Sequence, residues 1–260
     1  MTEQNTTVRK VALITGAGTG VGAATALLLA QKGYNILVNY SRSETEARQS
    51  QAACQLAGAD TVLVQGDVAQ EADCIALAAA AIARWGRIDV LVNNAGISNF
   101  AGVANWDALD MAVFQRIYAV NTVGAFQMVK ACVHALKAAQ GCVVNVSSMA
   151  GISGVGSSVP YILSKGALNA LTLHLAKQLA PEIRVNAVCP GLITSRWFVD
   201  GVGQANFEKI KATSEAMAPL QTASSPQDVA DAIVWLVTGA RTVTGDLLKV
   251  DAGAHLGARR

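Results

Sequence analysis

Seven short apolar runs, spaced by Ala/Leu-rich segments of helical length, predict an α/β chain on one doubly wound parallel sheet of about seven strands. Two further observations agree. The runs lack the apolar–polar alternation of a half-exposed sheet, as expected where helices cover both faces. A cluster of glycines follows the first run directly and opens a helix-like segment, the punctuation of a strand–turn–helix unit.

In order, the strand candidates are VALIT (11–15), NILVNY (35–40), TVLVQ (61–65), IDVLVN (88–93), CVVNVS (142–147), IRVNAV (183–188) and DLLKVD (246–251). The segments between them are long enough for right-handed crossover helices. No linker, repeat or low-complexity tract interrupts this alternation before about residue 190, so residues 1–260 read as a single domain. Leu192–Pro219 is less regular, carries Gly201 and Gly203, and is expected to form an irregular lid over the site. Ser225 before Pro226 reads as the capped start of the next helix.

Two predicted helices are apolar around much of their circumference. From Tyr161 to about Ala180 the chain spreads Ile162, Leu163, Leu168, Leu171, Leu173, Leu175 and Leu179 over several faces. From about Thr122 to Leu136 it does the same with Val123, Phe126, Met128, Val129 and Val133. One sheet covers only one side of a helix, so the other faces must be buried elsewhere.

Composition excludes several classes. Apolar residues make up 52% and charged ones 15%, which argues for a packed globule and against disorder. A net charge of +2 without Lys/Arg blocks gives no footprint for nucleic acid. The longest apolar runs, such as CIALAAAAIA (74–83), are too short to cross a bilayer. Five scattered cysteines without a CxxC spacing read as reduced thiols, and His134, His174 and His255 lie too far apart to suggest a metal site. The opening MTEQNTTVRK is polar and reads as no signal peptide, so a cytoplasmic protein is expected.

The glycine cluster carries the first functional reading. VALITGAGTGVGAATALLLA (11–30) places glycines at 16, 18, 20 and 22 between a strand and a helix. Glycine allows a tight turn and close approach of a ligand, and the N–H groups at the helix start attract phosphate. A Rossmann-like dinucleotide site follows. The common G-x-G-x-x-G fingerprint would need glycine at Val21; the chain instead has Thr15-Gly16-Ala17-Gly18-Thr19-Gly20-Val21-Gly22. The second chemical feature is Tyr161 and Lys165, four residues apart and therefore on one helix face.

Together with NNAG at 93–96, Ser147-Ser148 and Tyr161-x-x-x-Lys165, that glycine pattern resembles the short-chain dehydrogenase/reductase family, in register from about Lys10 to about Gly253. The resemblance implies hydride transfer between a nicotinamide cofactor and a ketone, aldehyde or alcohol. It makes Tyr161 the acid/base, Lys165 the cation beside it, Ser148 the donor to the substrate oxygen and Asn121 the source of a main-chain carbonyl in a proton path. An ordinary phenol titrates near 10, and a neighbouring ammonium is expected to lower that. The resemblance gives Gly16, Gly18, Thr19, Gly20, Val21 and Gly22 to the pyrophosphate side, Asp67 and Val68 to the adenine, and Asn94, Ala95 and Gly96 to the adenosine side. Pro190, Gly191, Ile193 and Ser195 match the segment that holds the carboxamide, where relatives more often have threonine and Thr194 stands next door.

The second strand ends in Tyr40-Ser41-Arg42, without the Asp or Glu that accepts hydrogen bonds from the ribose in NAD-specific relatives. Arg42 and the missing carboxylate favour a 2′-phosphate, so NADP(H) is the expected cofactor, with NAD(H) left open. Relatives pair such apolar helices across subunits, which implies a homotetramer; the alternative is a monomer with lid and C-terminal tail over that surface. The pocket wall is expected from Ser98, Asn99, Ser153, Val155, Val159, Trp197 and Phe198, and Arg196 could bind an acidic group. Rival readings are a 3-oxoacyl-acyl-carrier-protein reductase and a non-catalytic nucleotide sensor or scaffold.

Overall fold

A computed structural model describes residues 9–100 and 105–257. The polar opening 1–8, read above as no leader, lies outside them. The strands are β1 (Val11–Ile14), β2 (Asn35–Tyr40), β3 (Thr61–Gln65), β4 (Val90–Asn93), β5 (Cys142–Val146), β6 (Arg184–Pro190) and β7 (Leu247–Val250). They form one sheet in the order β3-β2-β1-β4-β5-β6-β7, every neighbouring pair parallel. The order reverses between β1 and β4, and in such sheets the crevice at the strand ends there is the place for a ligand.

The helices are α1 (Gly20–Gln31), α2 (Glu44–Leu56), α3 (Glu71–Trp85), α4 (Met111–Tyr118), α5 (Gly124–Ala138), α6 (Ala150–Ser153), α7 (Val159–Leu179), α8 (Arg196–Val202), α9 (Gln204–Met217) and α10 (Pro226–Thr238). The absence of strand alternation now has its cause. Ile14, Ile36, Val38, Val92 and Val144 pack with α1, α2 and α10, while Leu13, Leu37, Leu91, Val143 and Val185 pack with α3, α5 and α7. Successive side chains point to opposite faces, and both faces are covered, so both must be apolar.

Two expectations about helices change. The segment read as an irregular lid is helical: α8 and α9 follow one another, divided at Gly203 with φ +78. Their mixed composition gives a weak apolar stripe, since only Phe207 of α9 is buried and nothing in α8 is. The helix expected from Thr122 is the second half of a longer run, in which α4 passes into α5 through a π-helical segment, Ala119–Val123. The capped start at Ser225 is met. Ser225 Oγ accepts from Asp228 N at 3.2 Å, Asp228 Oδ2 accepts from Ser225 N at 2.7 Å, and Pro226 fills the first turn.

Candidate active site

The glycine turn after β1 is held by side chains on three strand ends. Thr15 Oγ1 accepts from Asn94 N and Ala95 N, both at 3.0 Å. The Asn94 amide donates to the carbonyls of Thr15 and Gly16 at 2.9 Å each. Asn39 Oδ1 accepts from Gly16 N at 3.1 Å, and its amide donates to Gly66 O at 3.0 Å. Thr15 and Asn39 were not singled out from sequence; a buried polar residue in an apolar strand was the available signal.

The turn fits a dinucleotide phosphate. Gly16 has φ +62 and Gly20 φ +55, and a Cβ on Gly20 would meet nothing within 4 Å, so open space lies at the start of α1. No acidic residue occupies the first turn of α1, and the Thr19 side chain makes no capping hydrogen bond. Gly22 is required for packing, because a Cβ there would stand 2.3 Å from Gly16 O and 2.5 Å from Asn94 Nδ2. Gly18 packs against Ala47 of α2 at 3.3 Å by the same measure. Val21 is buried in the core, which leaves only its backbone for a ligand.

At the end of β2, Tyr40, a candidate cofactor contact, is buried in the core on the α1 side. Ser41 and Arg42 are the exposed groups there. Arg42 makes no ion pair among the described residues, although its charge helps hold the Asp67 carboxyl below the usual range. Burial opposes that lowering, whereas Asp67 Oδ1 accepts from Ala69 N at 3.0 Å and Oδ2 from Arg116 Nη2 at 2.8 Å. Val68 is a packing residue: a Cβ on Gly124 of α5 would lie 2.8 Å from its Cγ2, so its side chain faces α5.

Tyr161, Lys165 and Ser148 come together beyond the ends of β4 and β5. The Lys165 ammonium is 5.7 Å from the Tyr161 ring centroid and donates to Val146 O at 2.8 Å. A Cβ on Gly96 would lie 3.6 Å from Lys165 Nζ and 3.5 Å from Asn121 Oδ1, which places NNAG against both. Burial pushes the Lys165 amine down to about 8, with Cys189 opposing. The phenol of Tyr161 moves the other way from expectation. Burial raises it, and a hydrogen bond with Ser148 pulls it down. Dehydration of the phenolate outweighs that hydrogen bond.

Neighbouring Ser147 is structural, its hydroxyl donating to Asn169 Oδ1. The Asn121 side chain is committed as well: Oδ1 accepts from Ile97 N at 2.8 Å, and Nδ2 donates to Ile97 O at 2.9 Å and Ser164 Oγ at 3.0 Å. Asn121 lies inside the π-helical segment, a register change that takes carbonyls out of the regular helical ladder. Val, Asn and Thr are weak helix formers and an Asn in mid-helix admits a kink, but nothing in AVNTV specifies a π-helical register.

The segment that the resemblance gives to the carboxamide starts at the end of β6. Pro190 ends β6, Gly191 N donates to Val250 O at 3.0 Å, and Ile193 bridges to Ser224. Ser195 is the N-cap of α8, so Trp197 and Phe198 project from a helix. The Trp197 ring is 6.2 Å from Tyr161, 4.9 Å from Phe100 and 6.0 Å from Phe198. Ser98 and Ser157 share a 2.5 Å hydrogen bond on the pocket wall; Ser157 was not foreseen there. Arg196, which could bind an acidic group, pairs at the surface with Glu46 at 2.8 Å and Asp200 at 3.7 Å.

Comparison with known proteins agrees with this geometry. A family profile described as Enoyl-(Acyl carrier protein) reductase matches residues 16–255. A Streptomyces violaceoruber chain assigned as ketoacyl reductase 2 of the granaticin polyketide synthase is 40% identical over 247 residues, 95% of this chain and 96% of that one. The 3-oxoacyl-acyl-carrier-protein reductase FabG of Staphylococcus aureus is 31% identical over 254 residues, covering 95% and 98%. A Burkholderia xenovorans structure assigned to the short-chain dehydrogenases/reductases superposes with a TM-score of 0.89 at 37% identity, covering 96% of this chain and 99% of that one. The chain belongs to the short-chain dehydrogenase/reductase family and is an oxidoreductase.

Proposed function

We propose that the chain is an NADP(H)-dependent reductase of ketones or aldehydes that also runs in reverse on alcohols, with Tyr161 as acid/base. The observation that carries this is the convergence of Ser148, Tyr161 and Lys165 with Gly96 at the sheet's switch point. When bound, the nicotinamide supplies or takes up hydride at the substrate carbon. Ser148 holds the substrate oxygen, and Tyr161 gives its hydroxyl proton to that oxygen during reduction. Lys165 keeps positive charge beside the phenol and would bind the nicotinamide ribose, while the Asn121 main-chain carbonyl would hold the water that passes the replacement proton. Gly16, Gly18, Thr19, Gly20 and Gly22 hold the pyrophosphate, Asp67 the adenine, and the Pro190–Ser195 segment the carboxamide. Arg42 receives the 2′-phosphate, which makes NADP(H) the preferred cofactor over NAD(H).

The setting proposed is one cytoplasmic domain with a helical lid at about 192–219, assembled as a homotetramer. Among the described residues no helix is long and apolar enough to cross a membrane, and all five cysteines are buried and unpaired. Exposed Tyr118, Val123, Phe126 and Leu163 on the α4, α5 and α7 faces supply the apolar surface for subunit contact.

A second reading, 3-oxoacyl thioester reduction, is favoured by the ketoacyl reductases among the relatives. The test is NADPH and NADH oxidation with a panel of simple ketones, a 3-oxoacyl thioester and an enoyl thioester. Turnover of ketones with NADPH, lost by about 10²–10⁴-fold in Tyr161→Phe, is expected. Preference for the thioester selects the second reading. Tight NADPH binding without turnover of any substrate would leave a nucleotide sensor instead.

A further inference from the structure

Trp197 lies beside the reacting phenol yet keeps 41% of its surface exposed. Its ring is tilted 43° to Tyr161 at 6.2 Å and is buttressed edge-on by Phe100 at 66° and Phe198 at 71°. Two rings thus pack against a third, which stands beside the proton donor and is partly exposed. The packing is close: a Cβ on Gly201 of α8 would meet the Phe100 ring at 2.3 Å, so the ring packs directly against that helix. The sole cation of α8, Arg196, is turned to Glu46 and Asp200 rather than to this aromatic surface.

An aliphatic lid would bury any apolar substrate about equally, in proportion to area. Rings differ, because offset and edge-on aromatic contacts are directional and add to simple burial. Resting on the reductase reading, we infer that the substrate is an uncharged ketone carrying a planar aromatic ring next to its carbonyl-bearing carbons, stacked on Trp197.

The test uses the full chain with NADPH and two ketones of one bicyclic skeleton, 2-tetralone and 2-decalone, in neither of which the carbonyl is conjugated. A 3-oxoacyl thioester serves as a third substrate. The expected result is a kcat/KM preference of about threefold to tenfold for 2-tetralone, falling below about twofold in Trp197→Leu, which keeps apolar area but removes the ring. Equal use of both ketones by the unaltered enzyme, or a preference that survives Trp197→Leu, overturns the inference and leaves the reductase reading standing. Failure to reduce any of the three removes both.

Discussion

Lys165 Nζ stands 5.7 Å from the centroid of the Tyr161 ring while donating its proton to Val146 O at 2.8 Å. The ammonium is thus anchored to the end of β5, and its burial lowers its pKa to about 8. The protonated form is lost as pH rises through that value, and with it the charge beside the phenol. In the reduction direction kcat/KM, which reports the free enzyme, is therefore expected to fall about tenfold per unit above about pH 8. Initial rates of NADPH oxidation between pH 6 and pH 10 check this. A flat profile through pH 9 would contradict it.

The same burial carries a stability cost. A drop from 10.5 to about 8 corresponds to about 3 kcal/mol at neutral pH, where the folded chain must hold a dehydrated ammonium. Lys165→Met removes that cost and orphans the Val146 carbonyl, a loss of about 1–2 kcal/mol. The variant is expected to melt a few degrees higher than the parent at pH 7 while losing turnover. Calorimetry of both proteins decides it, and a lower Tm for the variant refutes the balance.

Arg42 is exposed and without an ion-pair partner among the described residues at the end of β2. Arg42→Ala should raise the KM for NADPH at least about tenfold and leave NADH within about twofold, since only the former carries the extra phosphate. Added salt should weaken NADPH binding to the parent more than to the variant. Equal effects on both cofactors would place the phosphate elsewhere.

Two glycines of the phosphate turn should respond differently to alanine. At Gly22 the new methyl meets Gly16 O at 2.3 Å and Asn94 Nδ2 at 2.5 Å, so the Asn94 bonds to the turn must break. At Gly20 there is open space, and only the positive φ of +55 opposes the change, at about 1–2 kcal/mol. Gly22→Ala is expected to lose NADPH binding and several degrees of Tm. Gly20→Ala should lose mainly binding, read by isothermal titration calorimetry.

The exposed Phe126, Val123 and Leu163 predict subunit contact through α5 and α7. Light scattering is expected to report about four times the 26.9 kDa chain mass, and Phe126→Arg to reduce it. A species at the chain mass alone rejects the tetramer.

Much of this was legible in the sequence for a physical reason. Strand positions were clear because uninterrupted Val, Ile and Leu runs, punctuated by glycine, suit a sheet covered on both faces. Tyr161 and Lys165 were found because their spacing survives folding, four residues on a helix remaining one turn apart, whereas Ser148, just after β5, was named by the family resemblance alone. What escaped depended on partners distant in sequence. The direction of the Tyr161 shift depends on how deeply the phenol is enclosed. The commitment of Arg196 depends on Glu46, which lies 150 residues away. The burial of the Tyr40 and Val68 side chains was not legible for the same reason, since side-chain direction near a strand end is decided by what packs there.

The sheet's interior amides have a consequence for how the chain finds its alignment. Strands that are oily on both sides carry little to penalise sliding by one position. Asn93 and Asn145 sit opposite each other across β4 and β5, joined at 2.9 Å, and Asn145 continues to Thr172 on α7 at 2.9 Å. Any slip would strand these amides in a dry interior at about 1–3 kcal/mol each. They act as a key that admits a single alignment, and so fix where the catalytic loops emerge.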